Sequence, residues 1–210
     1  LRIEGKRRTL LTKLKKKVQA WMDKEAKWVH KLGLTPNQVS AVGLSLALLS
    51  GLAYWQHSQN KILLIIAPIL LLLSGFFDAL DGVLARTYGK VTVFGGFLDS
   101  LLDRYADAFV FFGIILGGLC HPFWGLVALT GSILVSYVRA RAEAAGTKME
   151  TVGVAERAER LIILALASFL SFFWLEALNW AVIILAVLTN LTVLQRAVHF
   201  YRALGRKANP

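Results

Sequence analysis

A single cysteine, Cys120, occurs in 210 residues, which excludes an intrachain disulfide and a thiolate metal site. Carboxylates are scarce too: 13 Asp and Glu stand against 24 Lys and Arg, for a formal net charge of +11. No signal-peptide pattern is present, and no repeat of fixed period. Nothing resembles a base-reading module, so the basic charge does not imply nucleic acid as a partner. Eleven of the Lys and Arg lie in residues 1–31, beside an apolar region. Anionic membrane lipids are the partner expected there.

What the chain has in quantity is apolar sequence. Hydrophobic residues make up 56% of it and the mean hydropathy is well above zero, which is wrong for a soluble domain of this size. Runs such as KILLIIAPILLLLSGFF and AVIILAVLTNLTVL approach the ~20 apolar residues that a bilayer core requires. The expected fold is all-α: an integral membrane bundle of six transmembrane helices, residues 35–210, behind a basic amphipathic helix in residues 1–34.

In that helix Leu11, Leu14, Val18, Trp21 or Met22, and Trp28 or Val29 recur at helical spacing with Lys on the other face, as in a segment lying in the membrane interface. Gly33 ends it, and Thr35 with Pro36 starts the next. The six spans are expected at about 38–55, 61–86, 95–119, 124–143, 157–174 and from 178, the last fading after Gln195 into a basic tail. Lys and Arg crowd the segments before span one, between two and three, between four and five, and after six. The opposite loops hold only Lys61. This places both termini on the cytoplasmic side of the cell membrane.

Against this apolar background, residues 77–107 hold five of the thirteen carboxylates: Asp78, Asp81, Asp99, Asp103 and Asp107. Acidic groups at membrane depth are costly and mark ion or substrate sites. Asp78 and Asp81 are three apart and Asp99 and Asp103 four apart, so on helices each pair shares a face. Two such pairs on neighbouring helices repel one another unless cations sit between them. Clustered carboxylate oxygens suit Mg²⁺ or Mn²⁺, and two ions would fit the pattern.

The array Asp78-x2-Asp81-Gly82-x2-Ala85-Arg86-x8-Gly95-x3-Asp99-x3-Asp103 resembles, position for position, the signature of the CDP-alcohol phosphotransferases. These membrane enzymes join a CDP-activated lipid or alcohol to a second alcohol and release CMP. The resemblance implies that Asp78, Asp81 and Asp99 are metal ligands. It makes Asp103 the general base, with contact to a metal as well. Gly82 and Arg86 fall at nucleotide-contact positions, and Thr92, Thr35, Pro36 and Asn37 resemble further contacts to the CDP-lipid. Asp107 lies outside the signature and is expected to pair with a neighbouring Arg or Lys.

Basic residues in 136–143, in 153–160 and at Gln195-Arg196 suit a phosphorylated polyol acceptor rather than a neutral alcohol. They resemble the phosphatidylinositol phosphate and archaetidylinositol phosphate synthase branch, in which Arg139, Arg157 and Arg196 would hold the acceptor phosphate. Arg141 and Arg160 are read as topological charges. The expected activity is therefore transfer from a CDP-linked lipid to myo-inositol 1-phosphate. Rival readings are glycerol 3-phosphate as acceptor, CDP-inositol as donor, a divalent-cation transporter, or a non-catalytic scaffold. The family also implies a homodimer, and Gly113 and Gly117 are small residues that allow close helix contact.

Overall fold

The computed structural model describes residues 21–149 and 152–208, with side chains through residue 204. Among these the chain is helical throughout. Residues 21–31 form α1, followed by α2 (Pro36–Trp55), α3 (Leu63–Thr87), α4 (Val93–Leu116), α5 (Pro122–Ala144), α6 (Arg157–Ser171) and α7 (Glu176–Ala208). The part of the amphipathic helix expected over residues 7–20 lies outside the described residues. The last helix is longer than expected. Its basic end continues to Ala208 because Gln, Arg, Ala and Lys are strong helix formers, and positive charge alone does not end a helix.

Among the described residues, four helices are long and apolar enough to cross a membrane: Pro36–Trp55, Leu63–Thr87, Pro122–Ala144 and, within α7, Glu176–Leu204. Each buries only 33–44% of its apolar window within the chain, leaving the remainder for an apolar medium. Helices α4 and α6 are not of this kind. The first carries Asp99, Asp103, Arg104 and Asp107, and the second has 15 residues.

The chain divides into two compact units. The first comprises Leu1–Gly43 and Phe76–Leu102. Its core joins Met22 and Ala26 of α1 to Val39 of α2 and to Leu80, Val83 and Leu84 of α3. His30 stacks on Tyr88 with ring centroids 3.7 Å apart, tying α1 to the end of α3. Gly33, at φ 76°, ends α1 in the left-handed conformation that favours glycine. Thr35 and Gln38 then form a capping box: Thr35 N donates to Gln38 Oε1 at 2.8 Å, and Gln38 N lies 3.4 Å from Thr35 Oγ1. That start is as the sequence reads.

The second unit comprises Leu44–Gly75 and Asp103–Pro210. Tyr54, Leu64, Leu71, Phe111, Ile114, Leu178 and Leu185 are among its fully enclosed side chains. Helix α7 packs on α5 and on α6. Helices α2 and α4 meet backbone to backbone. A Cβ on Gly113 would lie 2.0 Å from Gly51 O, one on Gly51 2.3 Å from Phe109 O, and one on Gly117 2.4 Å from Tyr54 O. Gly113 and Gly117 are thus used inside the chain, and the small-residue pattern gives no support for a dimer. Pro68 lies inside α3 and has no N–H for the carbonyl of Leu64 one turn earlier. Ser168 of α6 supplies the missing donor, its Oγ lying 3.2 Å from Leu64 O.

Candidate active site

The first unit contains a cavity of about 280 Å³, lined by residues from the α2 start, the end of α3, the following turn and the α4 start. Asp81, Gly82 and Arg86 come from α3, and Asn37 and Ser40 from α2. Thr92 and Asp99 come from the turn and from α4. Two helix N-termini therefore open on one space. Thr92 caps α4, its Oγ1 accepting from Gly95 N at 2.9 Å. The positive ends of two helix dipoles favour an anion. Arg86 and Lys90 add cationic charge to the same lining.

Gly82 has a local reason. A Cβ there would lie 3.2 Å from Arg86 Nη1, so glycine leaves the guanidinium its place one turn along the helix. Asp81 is 5% exposed and accepts a hydrogen bond from Ser40 Oγ. That hydroxyl also sits 3.1 Å from Pro36 O, within its own helix. Asp78 and Asp99 are half-buried, and each offers a carboxylate oxygen within 4.8 Å of the other's. Hard oxygen donors at this spacing, beside a third carboxylate on the same α3 face, fit Mg²⁺ or Mn²⁺.

Thr35 does not line the cavity; its hydroxyl belongs to the cap of α2. Pro36 and Asn37 do line it. Ser40 is a site residue that the signature leaves out. Its only sequence signal is its place one turn after Pro36, on the helix whose start was already singled out.

In the second unit, Asp103 lies one helical turn beyond Asp99 on the unbroken α4. Its Oδ1 is 2.6 Å from Arg157 Nη1, and its Oδ2 3.8 Å from Arg104 Nη1. Arg157 opens α6, and the preceding turn is moored to α7. Thr192 Oγ1 accepts from Val154 N and Ala155 N, each at 3.2 Å. Arg196 is 2% exposed and donates from Nη1 to Val135 O at 2.6 Å and from Nε to Val152 O at 2.8 Å. Arg139 is exposed and pairs with Glu143 at 2.9 Å, one turn on in α5. Of the three arginines assigned to an acceptor phosphate, only Arg157 pairs with a signature carboxylate; Arg196 is a buried clasp on main-chain carbonyls. Asp107 pairs with Arg160 at 2.7 Å, and Arg160, read as a topological charge, is buried.

The CDP-alcohol phosphatidyltransferase family matches residues 33–194. The archaetidylinositol phosphate synthase of Pyrococcus horikoshii is 44% identical over 189 residues, covering 89% of this chain and 94% of its own. A crystal structure of Mycobacterium tuberculosis phosphatidylinositol phosphate synthase with CDP-DAG bound superposes with a TM-score of 0.75 at 31% identity. It covers 86% of this chain and 93% of that one. The same enzyme with manganese and citrate gives 0.76 at 31% identity, over 86% and 88% of the two chains. The chain belongs to the CDP-alcohol phosphatidyltransferase family and is an enzyme of that family.

Proposed function

We propose that the protein transfers the phosphatidyl-type group of a CDP-linked lipid, CDP-diacylglycerol or CDP-archaeol, to myo-inositol 1-phosphate, releasing CMP. The observation that carries this reading is the cavity lined by Asp81, Gly82, Arg86 and Asp99 at two helix N-termini. The names of the relatives support the choice of lipid donor and inositol phosphate acceptor.

In this reading the helix N-termini, Arg86 and Lys90 bind the CDP diphosphate, with Pro36, Asn37 and Thr92 along its side. Asp78, Asp81 and Asp99 would hold divalent metal, Mg²⁺ or Mn²⁺ and two ions by the family resemblance. When bound, the metal neutralises the diphosphate and polarises the phosphoryl group. Ser40 fixes the orientation of the buried Asp81 carboxylate. Asp103 accepts the proton of the attacking inositol hydroxyl. Arg157 draws in the acceptor phosphate with its planar, forked guanidinium.

The six-span topology, with both termini and the site on the cytoplasmic side, completes the proposal, as does the division into residues 1–34 and 35–210. α4 and α6 then cross as the polar and short members of the bundle. A homodimer, implied by the family resemblance, would use surfaces other than the Gly113–Gly117 face.

The test is an assay of purified protein with CDP-lipid, Mn²⁺ or Mg²⁺, and each labelled acceptor in turn. CMP release with myo-inositol 1-phosphate, abolished by a chelator, is the expected result. Product from glycerol 3-phosphate alone would remove the inositol assignment.

A further inference from the structure

Asp107 stands outside the aspartate signature, yet it is among the most tightly held carboxylates of the second unit. Its Oδ2 accepts from Arg160 Nη2 at 2.7 Å, and its Oδ1 lies 3.6 Å from Arg157 Nε. Arg160 is fixed at a second point, donating from Nη1 to Ala155 O at 3.1 Å. Arg157 in turn has Nη1 at 2.6 Å from Asp103 Oδ1. One guanidinium thus spans two carboxylates a helical turn apart on α4, one on its Nε edge and one at its Nη1 tip.

We propose that Asp107 and Arg160 are positioning residues that aim the guanidinium of Arg157 at Asp103 and at the phosphate of the acceptor. This rests on the reading of Arg157 and Asp103 as acceptor-side groups. Three observations carry it. Arginine is a long, rotatable side chain, and a carboxylate 3.6 Å from its Nε, at ion-pair rather than hydrogen-bond distance, biases the swing that acceptor binding would otherwise have to freeze out. The Asp107–Arg160 pair is enclosed by Ala47, Leu71, Val110, Phe111, Leu161 and Leu164, where water screens it little. A buried ion pair is also a poor way to gain stability alone, since apolar groups of similar volume commonly serve as well.

The space beside the pair is about 10 Å³, at the lower edge of the roughly 10–15 Å³ that a single water needs. Neither a phosphate nor a polyol fits there. Asp107 and Arg160 therefore act through Arg157 and touch no substrate.

The experiment is steady-state kinetics of Asp107→Asn and Arg160→Lys, with myo-inositol 1-phosphate and CDP-lipid varied separately. About a tenfold rise in KM for the acceptor is expected, with KM for the CDP-lipid little changed; the thermal midpoint of Asp107→Asn falls, because Arg160 loses its buried counter-charge. In an Arg157→Ala background the Asp107→Asn change should add nothing to the acceptor KM, because the group it aims is gone. If Asp107→Asn yields too little folded protein, the neutral pair Asp107→Asn/Arg160→Met takes its place and should show the same selective effect. Equal rises in both KM values, an unmoved acceptor KM, or effects that add to those of Arg157→Ala would overturn the inference. An Arg157→Ala enzyme with an unmoved acceptor KM would overturn the acceptor-side reading itself, and this inference with it.

Discussion

Arg157, at the first position of α6, reaches across to Asp103 in the middle of α4 with 2.6 Å between Nη1 and Oδ1. A guanidinium can face one carboxylate with its tip while its Nε edge faces another; an ammonium, as a point charge, cannot. Arg157→Lys should therefore keep the charge and lose the geometry. CMP release at saturating CDP-lipid and fixed inositol phosphate should fall about tenfold to a hundredfold, mostly through the acceptor KM. Kinetics with each substrate varied in turn would check this.

Ser40 donates to the buried carboxylate of Asp81. Groups that orient a metal ligand from behind typically account for roughly 10–100-fold in metal affinity or activity. Ser40→Ala should raise the Mn²⁺ concentration for half-maximal CMP release by about tenfold, with activity largely restored at high Mn²⁺. A variant needing no more Mn²⁺ than the parent would leave Ser40 as a helix residue only.

The α2–α4 crossing predicts a contrast between two glycines. A Cβ on Gly113 would fall 2.0 Å from a main-chain oxygen, whereas one on Gly96 meets nothing within 4 Å. Gly113→Ala should destabilise the fold by about 1–3 kcal/mol or more, because backbone cannot step aside as a rotamer can. Gly96→Ala should be neutral or stabilising by up to roughly 1 kcal/mol. Thermal unfolding in detergent would separate the two.

Ser168 and Pro68 should behave as a coupled pair. Removing the Ser168 hydroxyl strands a carbonyl whose helical donor Pro68 has already taken away, at a cost of about 1–3 kcal/mol. In a Pro68→Ala background the N–H returns and Ser168→Ala should cost distinctly less. A double-mutant cycle on thermal midpoints measures the difference.

Cys120, in the link between α4 and α5, offers a reporter. Burial pushes its thiol up to about 11, so at pH 8 only about a thousandth of it is thiolate. Labelling of the folded protein by iodoacetamide should be slow at pH 8 and accelerate as pH rises toward 11. Unfolding should bring it to the rate of an ordinary thiol. Rapid labelling of the folded protein at pH 7 would contradict the burial.

Much of this was legible in the chain because the signals were local. Gly33, Thr35 and Pro36 mark a stop and a start through backbone chemistry, and the His121-Pro122 break does the same before α5. The cavity's Asp81, Gly82, Arg86 and Asp99 follow from a fixed spacing on two helices. What escaped is tertiary. Nothing near Arg160 in sequence says that its partner is Asp107, fifty-three positions earlier. Ser40 reads as an ordinary helix residue until Asp81 is placed beside it. Arg196 looked like a phosphate ligand because a cation at a helix end has several uses. Here two of its five donors go to the carbonyls of Val135 and Val152, and Nη2 lies 3.8 Å from Glu156 Oε1, contacts that no local sequence signal announces.

The contact of Gly51 with Gly113 leaves no side-chain layer to cushion the two backbones. Helices separated by leucines can shear or roll by exchanging rotamers; here rolling would drive a carbonyl into an α-carbon. The two segments are pinned as if by a rivet, so adaptation of this bundle to thicker or thinner bilayers must come from its other seams.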